Sequence, residues 1–328
     1  MNSYGHLFKI TLYGESHQDA IGAVLDGLPA GTKIDEELIK SDLEKRKPKQ
    51  IGTTTRKEDD KVRITSGVFN GYATGSPIHI MIENRNVISK DYQHLKTHPR
   101  PGHADFVSQV KYKGFQDYRG GGRFSGRLTA ALVAAGSIAK MAIPFKIKHE
   151  LVQVGSLKDM SRLDEYLLEV IEKGESVGGI IKITVSDMIV GMGEPFFNKL
   201  DSELAQLLFS VPAVKGVEFG LGFSGVEYFG SQFNDVLLDN KGITKTNHAG
   251  GMTGGISNGN DLTINVFVKP TSSIKKKQDT LNLETNKVEP LEINGRHDAA
   301  IVRRVGIVLE NMVAIGLLNQ YLMYKTYQ

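Results

Sequence analysis

Arg119-Gly120-Gly121-Gly122-Arg123-Phe124-Ser125-Gly126-Arg127 runs straight into Leu128-Thr129-Ala130-Ala131-Leu132-Val133-Ala134-Ala135-Gly136-Ser137-Ile138-Ala139-Lys140-Met141-Ala142. The second stretch has a helical composition with little side-chain bulk: Leu132, Val133 and Ile138 stand among alanines. A helix that is apolar nearly all round has no face to offer water, so it is expected between layers of the fold. The first stretch is a turn crowded with glycine and arginine.

Working outward, residues 7–13 alternate, with Phe8, Ile10 and Leu12 on one face, and read as a strand ending at Gly14-Glu15-Ser16-His17. Asp35 is placed to cap a helix bearing Leu38, Ile39 and Leu43, which runs out into Lys45-Arg46-Lys47-Pro48-Lys49. Residues 62–69 and 78–82 read as strands around a Gly71/Gly75 turn. Further strands are expected over 180–186, up to Phe219, and over 262–268, with helices over 200–209 and from about 299 to 322. Strands and helices alternate without a strict β-α repeat, and no linker or low-complexity stretch divides the chain. The expectation is a single α+β domain over 1–328, with several strands to each helical layer.

Composition narrows the chemistry. Of 328 residues, 40% are hydrophobic and 23% charged, and none is cysteine, which excludes disulfides, thiolate catalysis and Cys-ligated metals. The net charge of +3 is too mild to demand nucleic acid, and the aromatics do not interleave with the arginines as base-stacking platforms would. The opening Met1-Asn2-Ser3-Tyr4-Gly5 has no signal-peptide pattern, and no apolar run is expected to approach the ~20 residues of a spanning helix, so a cytoplasmic protein without membrane or nucleic-acid partners is expected.

Three signals point to small anionic ligands. Glycines let backbone N–H groups approach an anion, and Arg123 and Arg127 complete a phosphate cradle; a tight turn with surface arginines is the competing reading. A second loop runs Asn247-His248-Ala249-Gly250-Gly251-Met252-Thr253-Gly254-Gly255, and Lys269-Pro270-Thr271-Ser272-Ser273 offers a cation and three hydroxyls. Gly220-Leu221-Gly222-Phe223-Ser224-Gly225 spells a dinucleotide fingerprint, but Val226-Glu227-Tyr228-Phe229 does not continue as the helix that such a site needs. Histidine is the second signal. His17, His103 and His297 sit in turns beside arginines or carboxylates, where an imidazole can serve as a general acid or simply satisfy the turn. His94, His98 and His103 are separated by Pro99 and Pro101, which spoil a regular ligand spacing, so no metal site is expected. The third signal is arginine in turns: Arg46, Arg56, Arg100, Arg123, Arg127 and Arg296.

Taken in order, Gly14-Glu15-Ser16-His17, Arg100-Pro101-Gly102-His103-Ala104-Asp105, Tyr118-Arg119-Gly120-Gly121-Gly122-Arg123, His248-Ala249-Gly250-Gly251, Lys269-Pro270-Thr271-Ser272-Ser273 and Gly295-Arg296-His297-Asp298 resemble the successive signatures of the chorismate synthase family. The resemblance implies a β-α-β sandwich assembled as a homotetramer. It implies a lyase that uses reduced FMN to convert 5-enolpyruvylshikimate 3-phosphate into chorismate and phosphate by 1,4-elimination, in the shikimate pathway of aromatic amino acid biosynthesis. His17 would protonate the leaving phosphate, with Ser16 and Ser125 relaying protons. His103 would protonate the reduced flavin, and Asp298 would help to remove the C6 proton. The flavin would meet Arg123, Phe124, Ser125, Pro212, Ala213, Gly254, Lys269, Pro270, Thr271, Ser272, Ser273 and Arg296, while Arg46 and Arg127 would face substrate or NADPH. Whether the chain reduces its own flavin with NADPH or relies on a separate flavin reductase stays open. The chain departs from the family at Lys45-Arg46-Lys47-Pro48-Lys49, which is poorer in arginine, at Leu128, where the family has a glutamate that could orient the preceding arginine, and in a shortened region between 154 and 175.

Overall fold

The computed structural model describes residues 1–54, 59–85, 95–293 and 297–328. The first half of the chain forms β1 (Ser3–Tyr4), β2 (Lys9–Gly14), β3 (Ala20–Asp26), α1 (Glu36–Arg46), β4 (Val62–Ser66), the small hairpin β5 (Val68–Phe69) and β6 (Tyr72–Ala73), and β7 (Ile78–Glu83). The strands β1-β2-β3-β7-β4 pair in that order, all antiparallel. Alternation sets the buried face: Ile78, Ile80 and Ile82 of β7 and Ile21, Ala23 and Leu25 of β3 turn inward, with half-buried His79, Met81 and Val24 and the buried Gly22 between them.

Next come α2 (Asp105–Lys111), α3 (Thr129–Lys140), β8 (Lys146–Val154), α4 (Leu163–Glu172), β9 (Gly179–Ser186), α5 (Leu200–Phe209), β10 (Val214–Phe219) and α6 (Gly230–Phe233). The hairpin β11 (Met252–Thr253) and β12 (Ile256–Ser257) precedes β13 (Leu262–Val268), the hairpin β14 (Gln278–Asn282) and β15 (Lys287–Leu291), and finally α7 (Val302–Lys325). A second antiparallel sheet runs β10-β13-β9-β8. Helix α3 packs on β3 and β7, α7 packs on β8 and β9, and the two helices pack on each other, giving a sheet–helix–sheet sandwich of the α+β class.

The alanine-rich helix is the inner layer that the sequence called for. Every residue from Thr129 to Ala139 is buried. At Gly136 an added Cβ would lie 2.4 Å from both Cβ and the carbonyl oxygen of Asn311 on α7, so glycine there sets how closely the helices approach. Polar groups in this layer are matched. Asp42 of α1 accepts hydrogen bonds from Ser137 Oγ (3.0 Å), Lys140 Nζ (2.8 Å) and Asn311 Nδ2 (3.3 Å). Asn319 Oδ1 accepts from the backbone N–H groups of His6, Leu7 and Phe8, anchoring the entry to β2 on α7.

One expectation holds in detail and two shift. Asp35 does cap α1, its Oδ1 accepting from the Glu37 and Leu38 N–H groups. The strand read over 62–69 breaks at Gly67, whose φ is +80°. The last helix begins at Val302 rather than near 299, because the Ala300 N–H donates to Gly52 and the Ala299 carbonyl accepts from Val177, committing that backbone elsewhere. The reading that no apolar run reaches membrane-spanning length is corrected: α7, 24 residues long, is apolar enough by composition, and it lies buried between the sheets. Arg303, Arg304, Glu310 and Asn311 interrupt its hydrophobic run in sequence.

Alanine is favoured over glycine in a helix interior by about 1 kcal/mol, yet at position 136 the added methyl meets backbone that cannot swing aside. Gly136→Ala is therefore expected to destabilise the fold by about 1–3 kcal/mol in urea unfolding, the cost of overpacking; a more stable variant would contradict this packing.

Candidate active site

The three glycines that open the arginine loop adopt left-handed backbone in succession, with φ of 58°, 80° and 51° at Gly120, Gly121 and Gly122. A Cβ on Gly120 would sit 2.1 Å from His17 Cε1, so the loop can wrap this imidazole only as glycine. The loop does not open α3 directly. Two short turns intervene, and Ser125 Oγ accepts from the Arg127 N–H at the second (3.3 Å).

Arg123 is pinned to the end of β2. Its Nη1 donates to the Gly14 carbonyl (3.1 Å), and its Nη2 to the Leu12 carbonyl (2.6 Å) and Asn2 Oδ1 (3.0 Å). Burial pulls its guanidinium below the ordinary value. The side chain thereby flanks a cavity of about 1180 Å³. The cavity is built from the end of β2, the 100–105 turn and α2, the glycine loop, residues 209–214, and residues 269–272. Of the residues singled out by sequence, His103, the stretch 123–125, Pro212, Ala213 and the stretch 269–272 line it.

The remaining ones sit elsewhere. Ser16 and His17 are buried behind the glycine loop, with His17 Nδ1 3.3 Å from Ser16 Oγ. Ser273 is buried and does not line the cavity, and Gly254 lies at the exposed tip of the β11–β12 hairpin. Asp298 accepts from the Thr54 N–H (2.9 Å) and pairs with Arg304 Nη1 (3.4 Å). Arg56, His94 and Arg296 lie outside the described residues.

Arg46 and Arg127 are buried together rather than spread over a surface. Arg46 Nη1 donates to Asp60 Oδ2 (2.9 Å), Arg127 Nη1 donates to Asp60 Oδ1, and Arg127 Nε reaches Asn84 Oδ1 (3.0 Å). Asp60 therefore orients both arginines, although Leu128 stands where the family has a glutamate. Sequence reasoning missed Asp60, because Asp59-Asp60-Lys61 reads as an ordinary charged loop. It also passed over Asp105, whose carboxylate takes Arg100 Nε (2.8 Å), Nη2 (2.9 Å) and backbone N–H (3.0 Å) and so closes the turn that carries His103.

His103 itself is half-buried, and its Nε2 lies 2.8 Å from Ser273 Oγ. Burial, then the charge of Arg100, push its pKa down to about 4, against a smaller upward pull from Asp105. Lys269 Nζ donates to the Gly102 carbonyl (2.9 Å) and to Ser272 Oγ (2.5 Å), tying the hydroxyl-rich stretch to the histidine turn. The Gly220 fingerprint is followed by a short 3-10 turn over Gly222–Glu227 instead of the α-helix that a dinucleotide site requires.

A family model described as chorismate synthase matches residues 8–322. The chain belongs to the chorismate synthase family. The chorismate synthase of Chitinophaga pinensis is 50% identical over 319 residues, covering 97% of this chain and 95% of that protein. That of Methanocaldococcus jannaschii is 44% identical over 360 residues, covering 97% and 95%. A solved structure described as "Crystal Structure of Chorismate Synthase" superposes with a TM-score of 0.76 at 27% identity, covering 98% of this chain and 93% of that one. The protein is accordingly an enzyme of the chorismate synthase type, a carbon–oxygen lyase acting on phosphates.

The chorismate synthase cavity gathers Arg100, Arg123 and Lys269 around a neutral imidazole, an arrangement that favours an anion. An anion beside His103 offsets the burial that keeps the ring uncharged, so its pKa must rise on binding. In the unliganded protein His103 favours the folded state fully above its ordinary value near 6.5, and that contribution falls away as pH drops toward 4. Binding of an anion, with inorganic phosphate as the probe, is thus expected to take up protons at pH 6–7, measured by calorimetry in buffers of different ionisation enthalpy, and His103→Asn should diminish the uptake. Equal uptake by that variant would exclude His103 as the group that responds.

Proposed function

We propose that the enzyme converts 5-enolpyruvylshikimate 3-phosphate into chorismate and phosphate with reduced FMN, as the last common step of the shikimate pathway. The observation that carries this reading is the convergence of His103, Arg123–Ser125, Pro212–Ala213 and Lys269–Ser272 on one cavity. Its volume of about 1180 Å³ exceeds the roughly 300–1,000 Å³ usual for one small molecule, as suits a cofactor and a substrate held together.

The residues present fit the flavin. Thr271 Oγ1 and Gln116 Oε1, on two cavity-lining residues, are buried without a hydrogen-bond partner among the described residues, ready to meet a polar ligand. Arg123 through Ser125, Pro212, Ala213 and Lys269 through Thr271 would hold it here, with Gly254 and Arg296 as further contacts. Reduced FMN, when bound, supplies electron density transiently while the C3–O bond to phosphate breaks and C6 loses its proton, with no net redox change.

The protein's own groups handle charge and protons. A substrate with two carboxylates and a phosphate of about −1.5 to −2 calls for converging cations, and Arg46 and Arg127, oriented by Asp60, supply positive charge behind Gly126. His17 would protonate the leaving phosphate, with Ser16 beside it and Ser125 across the loop. Asp298 would take the C6 proton. Oδ1 of that carboxylate accepts from the Thr54 N–H (2.9 Å) and from Arg304 Nη1 (3.4 Å), while Oδ2 meets only the long contact to Arg304 Nη1 (3.5 Å) among the described residues, which leaves Oδ2 the less committed oxygen.

One contiguous hydrophobic core spanning both sheets supports reading residues 1–328 as a single domain. Exposed apolar side chains at Phe223, Val226, Phe229, Val236, Leu237 and Leu238 favour association into a homotetramer. A cytoplasmic location accords with the intermediates of such a pathway. The reductant is NADPH acting here or a separate flavin reductase, and reduction with dithionite makes the assay independent of that choice.

Under anaerobic conditions with dithionite-reduced FMN and the shikimate phosphate, chorismate absorbance is expected to grow through many turnovers for each flavin without stoichiometric loss of reductant. Equal turnover with oxidised FMN, or one reducing equivalent consumed per product, would overturn the proposal.

A further inference from the structure

The turn that carries His103 is gripped from two sides. Arg100 and Asp105 close it with a bidentate ion pair, while Lys269 Nζ and Ser272 Oγ both donate to the Gly102 carbonyl (2.9 Å each). Ser273, the next residue of that second strap, turns away from the cavity. It is 4% exposed and does not line the cavity, unlike the four residues before it. Its hydroxyl instead lies 2.8 Å from His103 Nε2, while Nδ1 of that ring has no protein partner among the described residues and His103 faces the cavity.

We propose that Ser273 is a positioning residue for His103: it holds Nε2 from behind and so presents Nδ1 to the ligand, acting through the imidazole rather than touching the flavin itself. The inference rests on the flavin reading only for what Nδ1 meets; the Ser273–His103 pairing stands on the geometry. A hydroxyl suits the task because it is donor and acceptor at once. Against a neutral ring it donates to Nε2, which leaves the single ring proton on Nδ1. Against a protonated ring it rotates and accepts from Nε2–H, with no heavy atom having to move. A carboxylate would favour the charged ring alone. The charged and titratable groups around His103 are Arg100, Asp105, Lys269 and His297, and none of them takes Nε2.

The test uses ¹⁵N-histidine NMR on the full chain without ligand, alongside FMN affinity for the same variants. In the wild type at neutral pH, His103 should be neutral with its proton on Nδ1. Ser273→Ala should turn this into a mixture of tautomers, and Ser273→Thr, which keeps the hydroxyl, should restore the single form. FMN affinity in Ser273→Ala should change by less than about threefold, since no charge-assisted contact is lost. If the alanine variant does not fold, Ser273→Cys, a much poorer donor, gives the same reading. An unchanged His103 spectrum in Ser273→Ala or Ser273→Cys overturns the proposal. So does an FMN affinity at least about tenfold weaker with that spectrum intact, which would make Ser273 a direct flavin ligand. Failure of the wild type to bind FMN would sink the flavin reading while leaving the NMR result decisive for Ser273.

Discussion

Two helices pressed together between two sheets govern everything else in this molecule. The contact of α3 with α7 at Gly136 and Asn311 tolerates no extra methyl group, and the alanines around it leave no bulk to hold the layers apart. That closeness fixes where the chain enters each helix. The segment before α3 is the glycine–arginine loop, and the one before α7 is the stretch from His297 to Ile301. Gly121 and residues 123–126 of the loop contribute to the cavity wall, and so does Ile301. Asn319 of α7 also catches three backbone N–H groups just ahead of β2, the strand whose far end holds Arg123. The core thus sets the geometry of the active site from both directions.

Charge in the site is held rather than displayed. Arg123 spends its donors on two β2 carbonyls and Asn2, Arg46 and Arg127 share Asp60, and Lys269 bonds to Gly102 and Ser272. Cations fixed this way keep their field without needing to reorganise when a ligand arrives, which is the economical arrangement for stabilising charge that develops during a reaction. Burial that would be costly for one unpaired arginine is offset here by partners on every side.

Much of this was legible in the sequence. Periodicity located β7 and β13, alanine content placed α3 in the interior, and Asp35 marked the start of α1. Of the motifs carrying glycine, arginine and histidine, those around Gly14, His103, Arg123 and Lys269 do meet at one cavity, because such backbone-driven turns need particular residue types, whereas the His248–Gly251 loop does not line it. What could not be read were pairings between distant segments. Nothing local in Asp59-Asp60-Lys61 says that Asp60 joins two arginines, and nothing in the run of hydroxyls from Thr271 to Ser273 says that the last one turns toward His103. The last helix was read at close to its true length, but its apolar character escaped notice for a similar reason: its interrupting polar residues, such as Glu310 and Asn311, find partners on other helices in the folded interior.

The central claim is that one cavity, shaped by the α3–α7 contact, holds flavin and substrate together. The most direct measurement is a crystal structure of the enzyme grown anaerobically with FMN and the shikimate phosphate. The account predicts both molecules in that cavity, with the flavin against Arg123–Ser125 and Lys269–Thr271 and the substrate phosphate on the side of the glycine loop that covers His17. Flavin density anywhere else on the molecule, with the cavity empty, would contradict it.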